Sequence, residues 1–100
     1  MREFKPRHEA SGLRFCVVAA RFNQTHVEAL VGAALETLAN RGASDADVEL
    51  MWVPGAFEIP LVAQRLGESQ RFDAVICLGC LIKGDTMHFE YIATAATNGI

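Results

Sequence analysis

Three apolar runs alternate with three stretches in which apolar residues recur at helical spacing. The apolar runs cover residues 13–20, 48–53 and 72–79, and the last helical stretch covers residues 87–98. The first run is apolar at nearly every position, which is typical of a strand buried on both faces. Such strands occur in parallel sheets that have helices packed above and below them. The alternation therefore predicts an α/β fold with a parallel sheet.

The predicted helices have recognisable start and stop signals. Thr25 and Glu28 have the spacing of a capping box, so we expect the first helix to begin there. Gly42 suits the position just past its end. Pro60 is tolerated in the first turn of the second helix, and Gly67 is expected to end that helix. The apolar stripes that predict the three helices are Val27, Leu30, Val31, Ala34, Leu35 and Leu38; Ile59, Val62, Ala63 and Leu66; and Phe89, Ile92, Ala93 and Ala96.

The loops that follow the three strands carry most of the unusual residues. They cover residues 21–23, 54–58 and 80–88. Right-handed connections place the carboxyl ends of parallel strands at one edge of the sheet, where ligands bind in open α/β folds. We therefore expect the three loops to converge on a binding site. Residues 1–12 are expected to form an N-terminal arm, and residues 13–100 a single domain.

Composition and charge narrow the class of protein. The 100 residues are 51% hydrophobic, which is ordinary for a folded domain, and the net charge of -3 argues against a nucleic-acid partner. No apolar run is long enough to span a membrane. Residues 1–12 lack the apolar core of a secretory signal. These features predict a cytoplasmic protein with no membrane partner.

The cysteines and histidines do not predict a metal site. Cys16 and Cys77 lie in strand-like runs and are expected in the core. Cys77 and Cys80 are three positions apart, so in a strand they would point to opposite faces. There is no second cysteine pair, and the three histidines show no i, i+4 pairing, so we expect no metal ligation. An odd cysteine count fits a reducing compartment.

Gly79 and Gly84 have the spacing of a nucleotide phosphate loop between a strand and a helix. Asp85 stands where that motif has lysine, and a carboxylate repels a polyphosphate, so we exclude a nucleoside triphosphate site. Two interpretations stay open. The segment is either a glycine-rich tight turn, or a site where backbone N–H groups and Thr86 hold a single phosphate. Asp85 or Thr86 would serve as N-cap of the third helix.

Other candidate side chains also have ordinary structural interpretations. His88 would lie in the first turn beside a bound anion and exchange protons near neutral pH, or it is an ordinary surface histidine. Phe22 could stack on a flat ring, or pack against the first helix as a hydrophobic staple. Phe57 could be a core residue, and Glu58 could serve only to complement the helix dipole.

Taken together, the three loop segments closely resemble lumazine synthase. The matching segments, in the same order and spacing, are Ala20-Arg21-Phe22-Asn23, Trp52-Val53-Pro54-Gly55-Ala56-Phe57-Glu58-Ile59-Pro60, and Gly79-Cys80-Leu81-Ile82-Lys83-Gly84-Asp85-Thr86-Met87-His88-Phe89-Glu90-Tyr91. The resemblance extends from the first strand to Ile100. It implies a flavodoxin-like three-layer sandwich with a parallel sheet.

The resemblance also implies an activity and a set of roles. Lumazine synthases condense 5-amino-6-(D-ribitylamino)uracil with 3,4-dihydroxy-2-butanone 4-phosphate, release phosphate and water, and need no metal or organic cofactor. Their product, 6,7-dimethyl-8-ribityllumazine, is the penultimate intermediate of riboflavin biosynthesis. By this resemblance His88 moves protons, Phe22 stacks on the pyrimidine, and Glu58 binds the ribityl hydroxyls. The other implied contacts are Ala56 and Phe57 lining the site, Cys80, Leu81 and Ile82 at the pyrimidine edge, and Asp85 and Thr86 at the phosphate.

The family pattern continues past Ile100 with a fourth strand and further helices, so we expect three βα units here and no fourth strand. In the family that later part supplies a phenylalanine, an arginine and a lysine from an adjacent subunit. The resemblance implies a homo-oligomer, either a pentamer or a sixty-subunit shell, that binds these small-molecule substrates. Two alternatives stay open. One is an inactive module that binds a pyrimidine or flavin-like ligand or builds a shell, and the other is a flavodoxin-like domain with chance loop matches.

Overall fold

The computed structural model describes residues 8–83 and 88–100. The described residues form a three-stranded sheet and three helices. In chain order the elements are β1 (Phe15–Ala20), α1 (Gln24–Asn40), β2 (Val48–Val53), α2 (Ile59–Glu68), β3 (Ala74–Leu78) and α3 (His88–Gly99), with short 3-10 turns at Asp45–Asp47 and Ala56–Glu58.

The sheet is parallel, and β1 is its central strand. The strand order is β2-β1-β3. Phe15 at the start of β1 pairs with Val48 on one side and Ala74 on the other. Every residue of β1 is buried, as the unbroken apolar run predicts, because a central strand has neighbours on both edges and helices on both faces.

Two hydrophobic clusters lie on opposite faces of the sheet. On one face, Cys16 and Val18 of β1 pack with Ile59 and Leu66 of α2, and Ala96 of α3 belongs to the same cluster. The cluster on the other face contains Ala19 of β1 with Val27 and Val31 of α1, and Leu35, Trp52, Leu78 and Cys80 pack against it. Helix α1 therefore covers one face and helices α2 and α3 cover the other. The predicted three-layer α/β architecture is confirmed.

The start of α1 differs from the prediction. The helix begins at Gln24, and its N-terminal cap residue, Asn23, makes no side-chain capping hydrogen bond. The predicted capping box is therefore wrong. Instead of accepting from a backbone N–H as a capping box requires, Oε1 of Glu28 accepts a hydrogen bond from the side-chain Nε2 of Gln24 at 2.9 Å. The carbonyl oxygen of Asn23 accepts the first helical N–H groups, from His26 at 3.0 Å and Val27 at 3.2 Å.

The helix ends show one confirmed prediction and one error. Gly42 adopts φ +97, and the N–H of Ala43 donates to Leu38 O at 2.9 Å, which is the Schellman arrangement. The prediction for Gly67 is wrong, because α2 continues to Glu68. Ser69 then closes the helix, with its Oγ donating to Leu66 O at 2.6 Å.

The described part of the expected arm is residues 8–12. Ala10 is buried, and its N–H donates to the carbonyl of Arg41 at the end of α1, at 2.8 Å. This contact places the last residues of the arm against the helix end. No helix in the described ranges combines the length and the apolar character needed to cross a membrane.

Candidate active site

Backbone hydrogen bonds join the loops after β1 and β2 beyond the ends of the strands. The N–H of Arg21 donates to Val53 O at 2.8 Å, and the N–H of Phe22 donates to Pro54 O at 3.1 Å. These bonds extend the pairing of β1 with β2, so the sheet itself determines where the backbone of Phe22 lies.

Asn23 joins the first loop to the third. Its Nδ2 donates to the carbonyl oxygen of Cys80 at 2.8 Å, in a partly buried bond. The three loops therefore meet at the carboxyl edge of the sheet, and their predicted convergence is confirmed. The sequence analysis did not single out Asn23 as a site residue. The available signal was an asparagine directly before a helix, a position where this residue type usually makes hydrogen bonds.

A cleft of about 230 Å³ opens where these loops meet. Its walls are mostly apolar and come from all three loops and from α3. The lining residues are Phe22, Pro54, Gly55, Ala56, Phe57, Glu58, Leu81 and Ile92. Ligand sites usually enclose about 300–1,000 Å³ and combine apolar walls with a few polar groups. The cleft therefore has the composition of a ligand site, but it is smaller than most sites that enclose a whole ligand.

The two aromatic side chains at the cleft are free to meet a ligand. Phe22 is 57% exposed and Phe57 is 61% exposed, whereas Ala56 between the loops is buried. The exposure of Phe57 excludes the core interpretation. Such exposed rings beside an apolar cleft can stack on a flat heterocycle.

Two of the expected substrate-binding residues do not line the cleft. Ile82 is exposed outside it, and the side chain of Cys80 packs on the α1 face of the sheet. The carbonyl of Cys80 is the group that Asn23 holds. Ile92 does line the cleft, and the sequence analysis assigned it only to the inward stripe of α3. A stripe that faces the sheet can also face a cleft at the sheet edge, and the pattern alone does not separate the two positions.

Among the described residues that line the cleft, Glu58 is the only one with a carboxylate. It is exposed, and its Oε2 lies so close to Gly55 that a β-carbon added to Gly55 would be 3.1 Å from it. At the far side of the loop region, Nζ of Lys83 lies 3.8 Å from Oε1 of Glu90 in α3, with the Lys83 side chain 71% exposed. This geometry places a carboxylate at the cleft and an ion pair at the start of α3.

The expected phosphate and proton-transfer groups lie at the edge of the described chain. Asp85 and Thr86 fall outside the described residues, and His88 is described as the first residue of α3. Over residues 8–83 and 88–100, no three side chains of the metal-binding types come close enough together to hold a metal ion. The three cysteines are free thiols, with Cys77 and Cys80 packed on opposite faces of the sheet, as their spacing predicts.

Comparisons with known proteins agree with this arrangement. A model of the family described as 6,7-dimethyl-8-ribityllumazine synthase matches residues 12–100. Two proteins named 6,7-dimethyl-8-ribityllumazine synthase, from two strains of Clostridium kluyveri, are each 40% identical to the chain over 100 residues. The match covers 100% of this chain and 65% of each relative, so the chain spans about 65% of their length. The matched region contains all three loops of the cleft, and the chain belongs to the 6,7-dimethyl-8-ribityllumazine synthase family.

Proposed function

We propose that this protein is a transferase that forms 6,7-dimethyl-8-ribityllumazine. Its substrates would be 5-amino-6-(D-ribitylamino)uracil and 3,4-dihydroxy-2-butanone 4-phosphate, and it would release phosphate and water. This reaction is the penultimate step of riboflavin biosynthesis. The observation that carries the proposal is the single cleft formed by Phe22, Ala56 to Glu58 and Leu81, since these residues come from the three loops that match the family.

The pyrimidine would lie on the Phe22 ring. The backbone of Phe22 is held by Pro54, while its side chain is more than half exposed, so the ring is presented to a ligand at little ordering cost. Ala56, Phe57 and Leu81 would surround the ring. Cys80 and Ile82 would contribute through their backbone groups.

Glu58 would bind the ribityl chain. Its carboxylate is at the cleft, and an ionised carboxylate accepts hydrogen bonds from hydroxyl groups. Charge-assisted hydrogen bonds of this kind are about twice as strong as neutral ones. Glu58 would therefore favour a polyhydroxylated substituent on the pyrimidine over an apolar one.

The phosphate would lie at the start of α3. Asp85 and Thr86 lie three and two positions before His88 in the sequence, and His88 is the first residue of the helix. Free N–H groups and the helix dipole favour an anion at such a position. His88 would carry protons during Schiff-base formation, loss of phosphate and ring closure, all of which need proton transfer near neutral pH. No metal or organic cofactor is part of this proposal.

The proposal includes a homo-oligomer, a pentamer or a sixty-subunit shell, in which a neighbouring subunit completes the cleft. Two features support this part. The cleft of about 230 Å³ is small for two substrates, and Leu50 and Met51 on the outer strand β2 are about 40% exposed. An edge strand with exposed apolar side chains is a surface on which another chain can pair. We also propose a cytoplasmic location, which the three free thiols support.

The test is formation of the lumazine from both substrates, with His88→Ala as the decisive variant. Loss of a positioned proton carrier should lower kcat by about 100-fold or more. His26→Ala is the matched control, because His26 is exposed and its hydrogen bond to Asn23 uses the backbone. Equal rates for the two variants would contradict the role of His88. Ligand binding without product formation in the parent protein would favour the inactive binding module.

A further inference from the structure

Asn23 has an unusual backbone conformation. It lies in the left-handed region at φ +58 and ψ +46. Among the described residues only one other non-glycine, Gln70 at φ +60, has a positive φ. This conformation is unfavourable for residues with a β-carbon, and asparagine is one of the few types that tolerates it. Asparagine therefore suits this backbone position, and its side chain is available for a contact outside the helix.

The side chain of Asn23 provides a long-range interaction in place of a local one. Asparagine before a helix usually accepts a hydrogen bond from the first turn through its side-chain oxygen. Here α1 has no side-chain cap, and Nδ2 of Asn23 donates instead to Cys80 O at 2.8 Å, across 57 positions of sequence. The amide thus links two loops and leaves the helix start without a side-chain partner.

The Asn23–Cys80 hydrogen bond joins two residues that are each next in sequence to a residue lining the cleft. Phe22 precedes Asn23, and Leu81 follows Cys80, and both side chains line the cleft. The backbone of Phe22 is also held by Pro54 on the opposite side. The Asn23–Cys80 bond therefore links the chain segments that carry the Phe22 and Leu81 walls.

We infer that Asn23 is a positioning residue that sets the distance between the Phe22 and Leu81 walls, and so the affinity for the flat pyrimidine. This inference rests on the proposed function. Asn23 does not itself line the cleft, and its effect passes through its two neighbours. The phosphate end, at the start of α3, does not share this bond. Loss of the bond should therefore weaken binding of the pyrimidine substrate selectively.

Trp52 offers a readout that needs no substrate. It is the only tryptophan of the chain, and it packs in the same cluster as Cys80. The guanidinium of Arg21 lies 5.6 Å from the centre of its ring. Arg21 lies two positions before Asn23, so a displacement of this loop on loss of the Asn23–Cys80 bond would change the surroundings of the indole and its emission.

Two variants separate positioning from folding. Asn23→Asp keeps the size of the side chain but replaces the donor with an oxygen that repels the Cys80 carbonyl. Asn23→Gly removes the side chain and relieves the left-handed backbone, so it should fold at least as well as the parent protein. Gln70→Gly is the matched control, because it relieves the same conformation at the opposite edge of the sheet, before β3.

The experiment is steady-state kinetics of lumazine formation, with Trp52 emission recorded on the same samples. In both Asn23 variants we expect the KM for the pyrimidine to rise by about tenfold, which corresponds to one lost hydrogen bond. The KM for the butanone phosphate should stay within about twofold, because its phosphate is proposed to bind at the start of α3 and not between the Phe22 and Leu81 walls. Trp52 emission should shift in these variants and not in Gln70→Gly.

Three outcomes would overturn the inference. An unchanged pyrimidine KM and Trp52 emission in Asn23→Gly, with an active parent protein, would show that the bond positions nothing. Equal increases of both KM values would show a general structural role. A parent protein that folds and forms no lumazine would overturn the proposed function, and the inference with it.

Discussion

The N–H of Phe22 donates a hydrogen bond to the carbonyl of Pro54 at 3.1 Å, just past Ala20 and Val53, the last residue pair of β1 and β2. The sheet thus holds the main chain of Phe22, while the side chain stays 57% exposed at the cleft. Because its backbone is fixed and its ring is exposed, Phe22 can bind a ligand without contributing much to the packing of the core. Its contributions to stability and to binding should therefore be separable.

Phe22→Ala should separate them. We expect the free energy of unfolding to change by less than about 1 kcal/mol, because the ring is largely solvated. The affinity for the pyrimidine substrate should fall by about tenfold, since stacking of a base on an aromatic side chain contributes about 1–3 kcal/mol. Denaturant unfolding and the pyrimidine KM measure the two quantities.

Phe72→Ala is the control with the reverse pattern. Phe72 packs against the core cluster of Cys16, and Arg71 lies over its ring at 5.1 Å. Its loss should destabilise the fold by about 2 kcal/mol or more without a specific change in the pyrimidine KM. A Phe22→Ala protein that is as unstable as Phe72→Ala would contradict the assignment of Phe22 to the ligand.

Gly55→Ala should alter the cleft without altering the fold. Gly55 has φ -149 and ψ 172, an extended conformation that alanine adopts freely. The added β-carbon would lie 3.1 Å from Oε2 of Glu58, so the carboxylate must move. We expect binding of the ribityl-bearing substrate to weaken several-fold, with stability within about 0.5 kcal/mol of the parent protein.

A double-mutant cycle with Glu58→Gln tests the cause of this effect. If Gly55→Ala acts by displacing the Glu58 carboxylate, its effect should shrink once that carboxylate is gone. Strictly additive losses of affinity would show that Gly55→Ala acts elsewhere in the cleft.

Two glycine substitutions in or after α1 should have opposite effects on stability. Gly32 lies inside the helix with open space around its missing β-carbon, so Gly32→Ala should stabilise the protein by about 0.5–1 kcal/mol. Gly42 has φ +97 and faces the Ser11 side chain, so Gly42→Ala should destabilise it by about 1–2 kcal/mol. Urea unfolding of the two variants measures both values, and changes of the same sign would refute the helix-end assignment.

The buried thiols should make the protein sensitive to alkaline pH. Burial raises the pKa of the Cys16 thiol above the ordinary value of 9.0, with a further increase from the Glu49 carboxylate, and burial also raises the pKa of Cys77. In the unfolded chain these thiols lose their protons from about pH 9, whereas in the folded chain they keep them. The contribution of the two thiols to the free energy of unfolding is therefore fully present below about pH 9. The free energy of unfolding should fall as the pH rises above that value.

The test compares the pH dependence of unfolding in the parent protein and in the double variant Cys16→Ala, Cys77→Ala. The slope of unfolding free energy against pH above 9 should be shallower in the variant, by at most about 1.4 kcal/mol per pH unit for each thiol. Only slopes are compared, because the smaller side chains also lower stability at every pH. Identical slopes would contradict the contribution of the thiols.

Local patterns in the sequence were sufficient for most of the fold. The apolar run at residues 48–53 coincides with β2, and the predicted third helix begins and ends within one residue of α3. These elements follow from periodicity, which depends on neighbours within a few positions. The convergence of the loops also followed, because parallel strands have their carboxyl ends at a common edge.

The start of α1 and the walls of the cleft depended on contacts between distant parts of the chain. The sequence contains a well-spaced capping box at Thr25 and Glu28, yet α1 begins at Gln24 without it. The amide of Asn23 had several possible partners nearby, and the structure pairs it with a carbonyl 57 positions away. Likewise, Leu81 faces the cleft and Cys80 the opposite face of the sheet. Periodicity predicts which elements form, but a hydrogen bond between two loops requires that the sheet first bring them together.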